Sequence, residues 1–86
     1  MRVRIERRGG LAGRLAVGER EDHELSGEER EALLGLLRSP PPVTPSPGAD
    51  RFHFRITVES DAGTRVLEVP EHAMPEALAA IPEIQL

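Results

Sequence analysis

A proline-rich segment near the middle divides this chain into two parts. Five prolines fall within the ten residues SPPPVTPSPG, positions 39–48. Proline has a fixed φ and no backbone N–H, so this segment can be neither a helix interior nor a central strand. We therefore expect an extended, partly polyproline-like loop over residues 39–50, with the regular elements on either side of it.

Two alternating segments near the start predict a β-hairpin. The segment RVRIER alternates charged and apolar residues, with Val3 and Ile5 on one face, which is the period of a half-buried strand. The segment RLAVG continues the alternation through Leu15 and Val17. The glycine-rich connection between the two is longer than a tight two-residue turn requires.

The segment SGEEREALLGLLRS predicts an amphipathic helix over residues 27–38. Ser26, followed three residues later by Glu29, matches the capping box that satisfies free N–H groups at a helix start. Acidic residues in the first turn and Arg38 in the last both suit the helix dipole. The apolar stripe consists of Ala32, Leu33, Leu36 and Leu37.

The part after the proline-rich loop repeats this order of elements. RFHFRITVES alternates as a strand whose inward side chains are Phe52, Phe54, Ile56 and Val58. DAG then turns the chain and TRVLEV returns as the partner strand. A short helix with Pro75 in its first turn is expected to end at Pro82. Its apolar face holds Met74, Leu78 and Ile81.

These elements predict a fold of the α+β class in the order ββαββα. A chain of 86 residues has room for one hydrophobic core, so we expect a single small domain over residues 1–86. The solution that buries every apolar face is a four-stranded antiparallel sheet packed by two helices on one side. Such a sheet allows the glycine-rich and proline-rich loops to lie at the same side.

The composition argues against an enzyme and against a membrane protein. The chain has no cysteine, and His23, His53 and His72 have no metal-ligand spacing. No acid, base and nucleophile converge in the pattern, so we predict no catalytic residue, no cofactor and no metal. The chain has neither a signal-peptide pattern nor a stretch of about 20 apolar residues, and a cytoplasmic location is expected.

The glycine-rich connection RRGGLAGR, residues 7–14, is the most unusual segment. Its GLAG matches a GxxG nucleotide clamp, but it lies between strands and not between helices. Its N–H groups next to arginines could form an anion nest, although no helix start follows. A mobile hairpin tip that displays Leu11 is the third interpretation.

Charge is distributed unevenly along the chain. Residues 1–20 carry six arginines and two acidic residues, a net charge of +4, whereas residues 21–86 carry five arginines and thirteen acidic residues, a net charge of −8; together they give −4. The basic first hairpin could attract an anionic protein or nucleic-acid partner. The acidic remainder would oppose a polyanion, so nucleic acid is disfavoured.

Four segments, in this order, resemble the emfourin family of proteinaceous inhibitors of thermolysin-like and protealysin-like zinc metallopeptidases. They are IERRGGLAG, LSGEEREALLGLL, GADRFHFRITVES and VPEHAMPEAL, and the resemblance covers essentially the whole chain. Members of the family often carry Phe where this chain has Leu11. They also tend to have a longer apolar and aromatic segment after the helix, where this chain has only RSPPPVTPSP.

The resemblance implies a reversible inhibitor that occupies the substrate cleft of a metallopeptidase, with no catalysis and no bound metal of its own. Such peptidases cleave on the amino side of bulky apolar residues, so Leu11 is expected to fill the primed-side pocket. Gly9, Gly10, Ala12 and Gly13 would follow the cleft, while Arg7, Arg8 and Arg14 would pair with carboxylates at its rim. We expect a monomer. The alternative is a non-enzymatic binding module for an anionic partner.

Overall fold

The computed structural model of this protein describes residues 1–9, 15–41 and 52–84. The strands are β1 (Arg2–Gly9), β2 (Ala16–Glu21), β3 (Phe52–Ser60), β4 (Gly63–Pro70) and β5 (Glu83–Ile84). The helices are α1 (Gly27–Arg38) and α2 (Glu76–Ala79), and single 3₁₀ turns precede them at Asp22–Glu24 and Glu71–Ala73.

The strands form one antiparallel sheet in the order β4-β3-β1-β2-β5. The four long strands and two helices confirm the predicted α+β fold and its ββαββα order. The two-residue strand β5, which pairs with the start of β2, was not predicted. Because β1 lies antiparallel to both β2 and β3, those two strands run parallel on either side of it, and α1 makes the crossover between them.

The two helices pack against one side of the sheet, which we call the covered face; the opposite side is the open face. Ile5 of β1 lies opposite Ile56 of β3, and both have no exposed surface. The helices contribute Leu33, Leu36 and Leu78 to the same apolar cluster. Of the inward side chains predicted for β1 and β3, Val3, Ile5, Phe54, Ile56 and Val58 are buried, whereas Phe52 is half-buried. Alternation places most charged strand residues on the open face. Three arginines are exceptions at covered-face positions: Arg7, Arg20 and Arg65.

The strand β2 differs from the expected pattern, because Leu15 and Val17, which the alternation placed together with the inward residues, lie on the open face. Ala16 is fully buried, whereas Leu15 is 40% exposed and Val17 is half-buried opposite Glu6. Gly18 lies opposite Ile5 on the covered face, where a Cβ would clash with the backbone oxygen of Ile81. The close approach of the chain after α2 therefore requires a small residue at a core-facing position.

The helix α1 begins and ends where the sequence predicts. The Ser26 hydroxyl accepts a hydrogen bond from the Glu29 N–H at 3.1 Å, and the Glu29 carboxylate accepts one from the Ser26 N–H at 2.8 Å. This is the predicted capping box. At the other end, Arg65 of β4 donates to the Leu37 carbonyl at 2.9 Å and so ties the last turn of the helix to the sheet.

The helix α2 is a single turn that begins after Pro75. The residues predicted for its apolar face, Met74, Leu78 and Ile81, are all buried in the core cluster. Pro82 follows this turn and is buried as well, which agrees with the predicted end of the helix. Neither of the described helices has the length and apolar character needed to cross a bilayer.

Candidate functional site

The glycine-rich segment leaves the sheet from its central strand. Arg7, Arg8 and Gly9 are the last residues of β1, and Ala16 opens β2 directly opposite Arg7. The predicted contact residues Gly10, Leu11, Ala12, Gly13 and Arg14 lie outside the described residues. Their two attachment points are nevertheless held in the sheet, because β1 pairs with β2 and β3, and β2 pairs with β1 and β5.

The proline-rich segment returns to the sheet beside the same point. Phe52, the first residue of β3, lies opposite Gly9 in the antiparallel register. Residues 39–41 follow α1 without regular structure, and the rest of the predicted loop, 42–50, lies outside the described residues. The C-terminal end of the proline-rich segment therefore meets both ends of the glycine-rich segment at one end of the sheet, which we call the loop end.

Gly9 has a backbone conformation that suits glycine. Its φ is 98°, in the left-handed region that a side chain with a Cβ rarely adopts. The chain thus leaves β1 through a position where glycine is needed. Of the glycines that we predicted as contact residues, this is the one that the structure describes.

Arg8 lies on the open face and is neutralised within the protein. Its Nη2 donates to Oε2 of Glu6 at 2.8 Å, and the Nε of Arg4 lies 3.7 Å from the other oxygen of that carboxylate. Glu6 is only 7% exposed. The hydrogen bond from Arg8, together with the nearby positive charges of Arg4 and Arg55, lowers the pKa of Glu6 although burial acts in the opposite direction.

Arg7 has a different environment although it is the next residue. Its guanidinium carbon lies 4.7 Å from the centroid of the Phe52 ring, within the range of a cation–π contact. Its Nε is buried and has no hydrogen-bond partner among residues 1–9, 15–41 and 52–84. Of these two adjacent arginines, Arg8 is paired with a carboxylate and Arg7 is not. No local sequence signal indicates this difference.

Other arginines of the open face also pair with carboxylates. Arg2 lies 3.1 Å from Glu21 and Arg55 lies 2.7 Å from Glu68. Their hydrogen bonds to these carboxylates raise the pKa of both arginines. Acidic and basic side chains therefore alternate across this face. It does not present the continuous basic surface that a nucleic acid would require.

A shallow pocket of about 440 Å³ lies on the open face along β2. It is lined by Arg4, Leu15, Val17, Gly18 and Glu19. The sequence analysis did not identify this pocket. The pocket depends on the register of β2. Because Ala16 and Gly18 occupy the covered face, Leu15 and Val17 lie on the open face.

The residues considered for chemistry do not come together in the part of the chain that the structure describes. His23, His53 and His72 are all exposed. No group of three or more histidine, aspartate or glutamate side chains among these residues could hold a metal ion. The features that remain at the loop end are both ends of the glycine-rich segment, the C-terminal end of the proline-rich segment and Arg7.

Comparison with known proteins identifies one family. The sequence model of the Emfourin family matches residues 5–83. No curated protein and no solved structure gave a match. The matched range contains all four segments on which the resemblance rests, and it includes at least part of every strand of the sheet. The chain belongs to the Emfourin family.

Proposed function

We propose that this protein inhibits thermolysin-like zinc metallopeptidases by placing the glycine-rich segment in the substrate cleft. The observation that carries the proposal is the family match, because the Emfourin family is a family of metallopeptidase inhibitors. The position of the segment supports the mechanism. It extends from the end of β1, the central strand, so the scaffold behind it is supported on both sides.

In this mechanism Leu11 fills the primed-side pocket of the peptidase. Gly9, Gly10, Ala12 and Gly13 allow the backbone to follow a narrow cleft, since their side chains are absent or small. Ordering the segment costs about 1–2 kcal/mol per residue. Attachment of both its ends to paired strands limits that cost, because the ends are already ordered in the free protein.

The arginines of the segment supply ionic contacts at the rim of the cleft. Arg7, Arg8 and Arg14 lie on or beside the loop, where carboxylates of the partner can reach them. Arg8 already pairs with Glu6, so it contributes to binding only if its guanidinium contacts a carboxylate of the peptidase and Glu6 at the same time. Arg7 has no such partner in the described part of the chain.

The test is an inhibition titration with thermolysin as the target. The parent protein should inhibit competitively, and Leu11→Ala should weaken inhibition about 10- to 100-fold, since a buried leucine contributes roughly 1.5–3 kcal/mol. Leu34→Ala is the matched control, because Leu34 is 44% exposed on α1 and lies outside the segment. Absence of inhibition by the parent would contradict the function. Equal inhibition by Leu11→Ala would contradict only the pocket assignment.

The alternative function, a binding module for an anionic partner, predicts a different response to salt. Binding of a polyanion weakens steeply as the salt concentration rises, because counterions are released on binding. A contact centred on a leucine resists salt. The pairing of Arg2, Arg4 and Arg8 with carboxylates favours the inhibitor.

A further inference from the structure

The helix α1 has an exposed face that lies away from the core. This face, which we call the outer face of α1, follows the helical spacing i, i+3, i+4, i+7 and consists of Glu31, Leu34, Gly35 and Arg38. All four residues are exposed, and Leu34 is 44% accessible to solvent. The buried leucines of α1 lie on its other side. The outer face therefore has an apolar centre between two side chains of opposite charge.

No contact within the described chain requires glycine at the centre of this face. Gly35 lies in the interior of α1 with an ordinary helical φ, and a Cβ at this position would have nothing within 4 Å. Glycine destabilises a helix interior relative to alanine, because it loses more backbone freedom on folding. The missing side chain does, however, allow another backbone to approach the helix closely. Gly35 is thus consistent with a contact to a second molecule.

The two charged residues of the outer face form no ion pair in the part of the chain that the structure describes. Glu31 takes part in none of the ion pairs or side-chain hydrogen bonds of residues 1–9, 15–41 and 52–84. Within the same residues, Arg38 donates only to the Leu34 carbonyl of its own helix, at 3.3 Å. Along the helix axis, Glu31 and Arg38 each lie about 5 Å from the midpoint between Leu34 and Gly35. Opposite charges at equal distances from an apolar centre make the face complementary to itself.

We propose that the outer face of α1 docks against the same face of a second copy of this protein. In this two-fold dimer the helices run antiparallel, and the axis passes between Leu34 and Gly35. Glu31 then lies beside Arg38 of the partner subunit on each side of the axis, and the close approach at glycine buries the two leucines. A contact of this kind closes after two copies, so no larger assembly is expected. The inference does not rest on the proposed function.

The outer face lies away from the glycine-rich segment. The last turn of α1 is held by Arg65, which lies near the end of β4 opposite the loop end. A specific interface buries about 800 Å² on each partner, and one face of a helix of about three turns offers less. We therefore expect a weak dimer with a dissociation constant of roughly 0.1–1 mM. The monomer expected from the sequence is the state at lower concentrations, including those of an inhibition titration.

The test is sedimentation velocity of the full chain at pH 7 and low ionic strength, from about 10 μM to about 1 mM. The parent should change from monomer to dimer over this range. Leu34→Glu should remain a monomer, because it places two acidic groups at the centre of the contact. Val66→Glu is the matched control, since Val66 is an exposed apolar residue of β4 and the charge changes equally. A parent that is monomeric at the highest concentration, or a Leu34→Glu variant that dimerises, would overturn the proposal.

The pairing of Glu31 with Arg38 is tested by two charge reversals. Glu31→Arg places arginines at both ends of the face, and Arg38→Glu places glutamates at both ends. Each variant alone should dimerise about tenfold more weakly than the parent, because like charges then face each other. An equimolar mixture of the two should dimerise as well as the parent, since both ion pairs are restored. A mixture that associates no better than either variant alone would contradict the antiparallel arrangement.

The control for net charge is Glu59→Arg. Glu59 is exposed near the end of β3, outside the outer face, and the substitution changes the charge as much as Glu31→Arg does. It should leave dimerisation unchanged. An equal weakening by Glu59→Arg would assign the effect to net charge and overturn the pairing of Glu31 with Arg38.

Gly35→Ala separates dimerisation from the stability of the helix. Alanine should stabilise α1 in the monomer, but its methyl group would hold the two helices apart. At low concentration the variant should therefore unfold at a higher temperature than the parent, and yet dimerise about three- to tenfold more weakly. A dimer of Gly35→Ala as tight as that of the parent would contradict the close approach of the two helices at this position.

Discussion

The two faces of the sheet can be compared along β1, because adjacent residues of this strand point to opposite faces. Ile5 points to the covered face and has no exposed surface, in a cluster with the helices. Arg4 points to the open face, where its side chain is 46% exposed and lies near Glu19 and Glu6. Burial of apolar area stabilises a fold much more than exposed ion pairs do. The covered face therefore holds the fold together, and the open face tolerates change.

Arg7 is the residue in which the two environments are mixed. It follows the alternation of Val3 and Ile5 onto the covered face, but it lies beyond the apolar cluster at the loop end. There it cannot reach the ion pairs of the open face. Arg20 and Arg65 also occupy covered-face positions, but they donate to backbone carbonyls. The lack of a partner for the buried Nε of Arg7 is therefore not a consequence of its face alone.

The largest effect is expected from replacing adjacent residues on the two faces. Ile5→Ala should lower the free energy of unfolding by about 2–5 kcal/mol, because it leaves a cavity in the core. Arg4→Ala should lower it by no more than about 1 kcal/mol. Urea denaturation of both variants at pH 7 measures the difference. Equal losses would contradict the division between the faces.

An intermediate effect is expected at Gly18. A methyl group there meets the backbone of Ile81, so Gly18→Ala should destabilise by about 1–3 kcal/mol through overpacking. The matched control is Gly35→Ala in α1, where a Cβ has nothing within 4 Å. That variant should be more stable than the parent by roughly 1 kcal/mol, since alanine favours helix. Equal free energies of unfolding for the two variants would contradict the close packing at Gly18 on the covered face.

The smallest effect is expected at Glu6, the buried carboxylate of the open face. Glu6→Gln removes the pair with Arg8, whose side chain is 45% exposed, and should cost about 1 kcal/mol at pH 7. Because the folded-state pKa of Glu6 lies below its ordinary value of 4.5, the contribution is complete above that value. It is lost as the pH falls through the folded-state pKa.

The free energies of unfolding of the parent and of Glu6→Gln, measured by denaturation from pH 7 to pH 3, test this loss. The two proteins should differ at neutral pH and converge in acid. A difference that stays constant over this range would mean that the charge of Glu6 contributes nothing.

Much of the fold could be predicted because its signals are local. The bounds of α1 follow from a capping box and an apolar stripe, and β3 follows from strict alternation. β5 was missed because two residues carry no periodicity. The orientation of β2 was missed because Leu15 and Val17 look like core residues, whereas the close approach of Ile81 leaves room only for a glycine at position 18 on the covered face.

For the candidate site, too, some features could be predicted from the sequence and others could not. The sequence pointed to the segment Arg7–Arg14 and, by resemblance, to the inhibitor family; the contacts of residues 10–14 remain predictions. The sequence by itself determined which residues alternate along β1 and that a glycine-rich loop follows it, because both depend on neighbouring residues. Only the tertiary structure decided that Arg8 is paired and Arg7 is not. Glu6 and Phe52 reach those arginines through strand register, which depends on residues far apart in the chain.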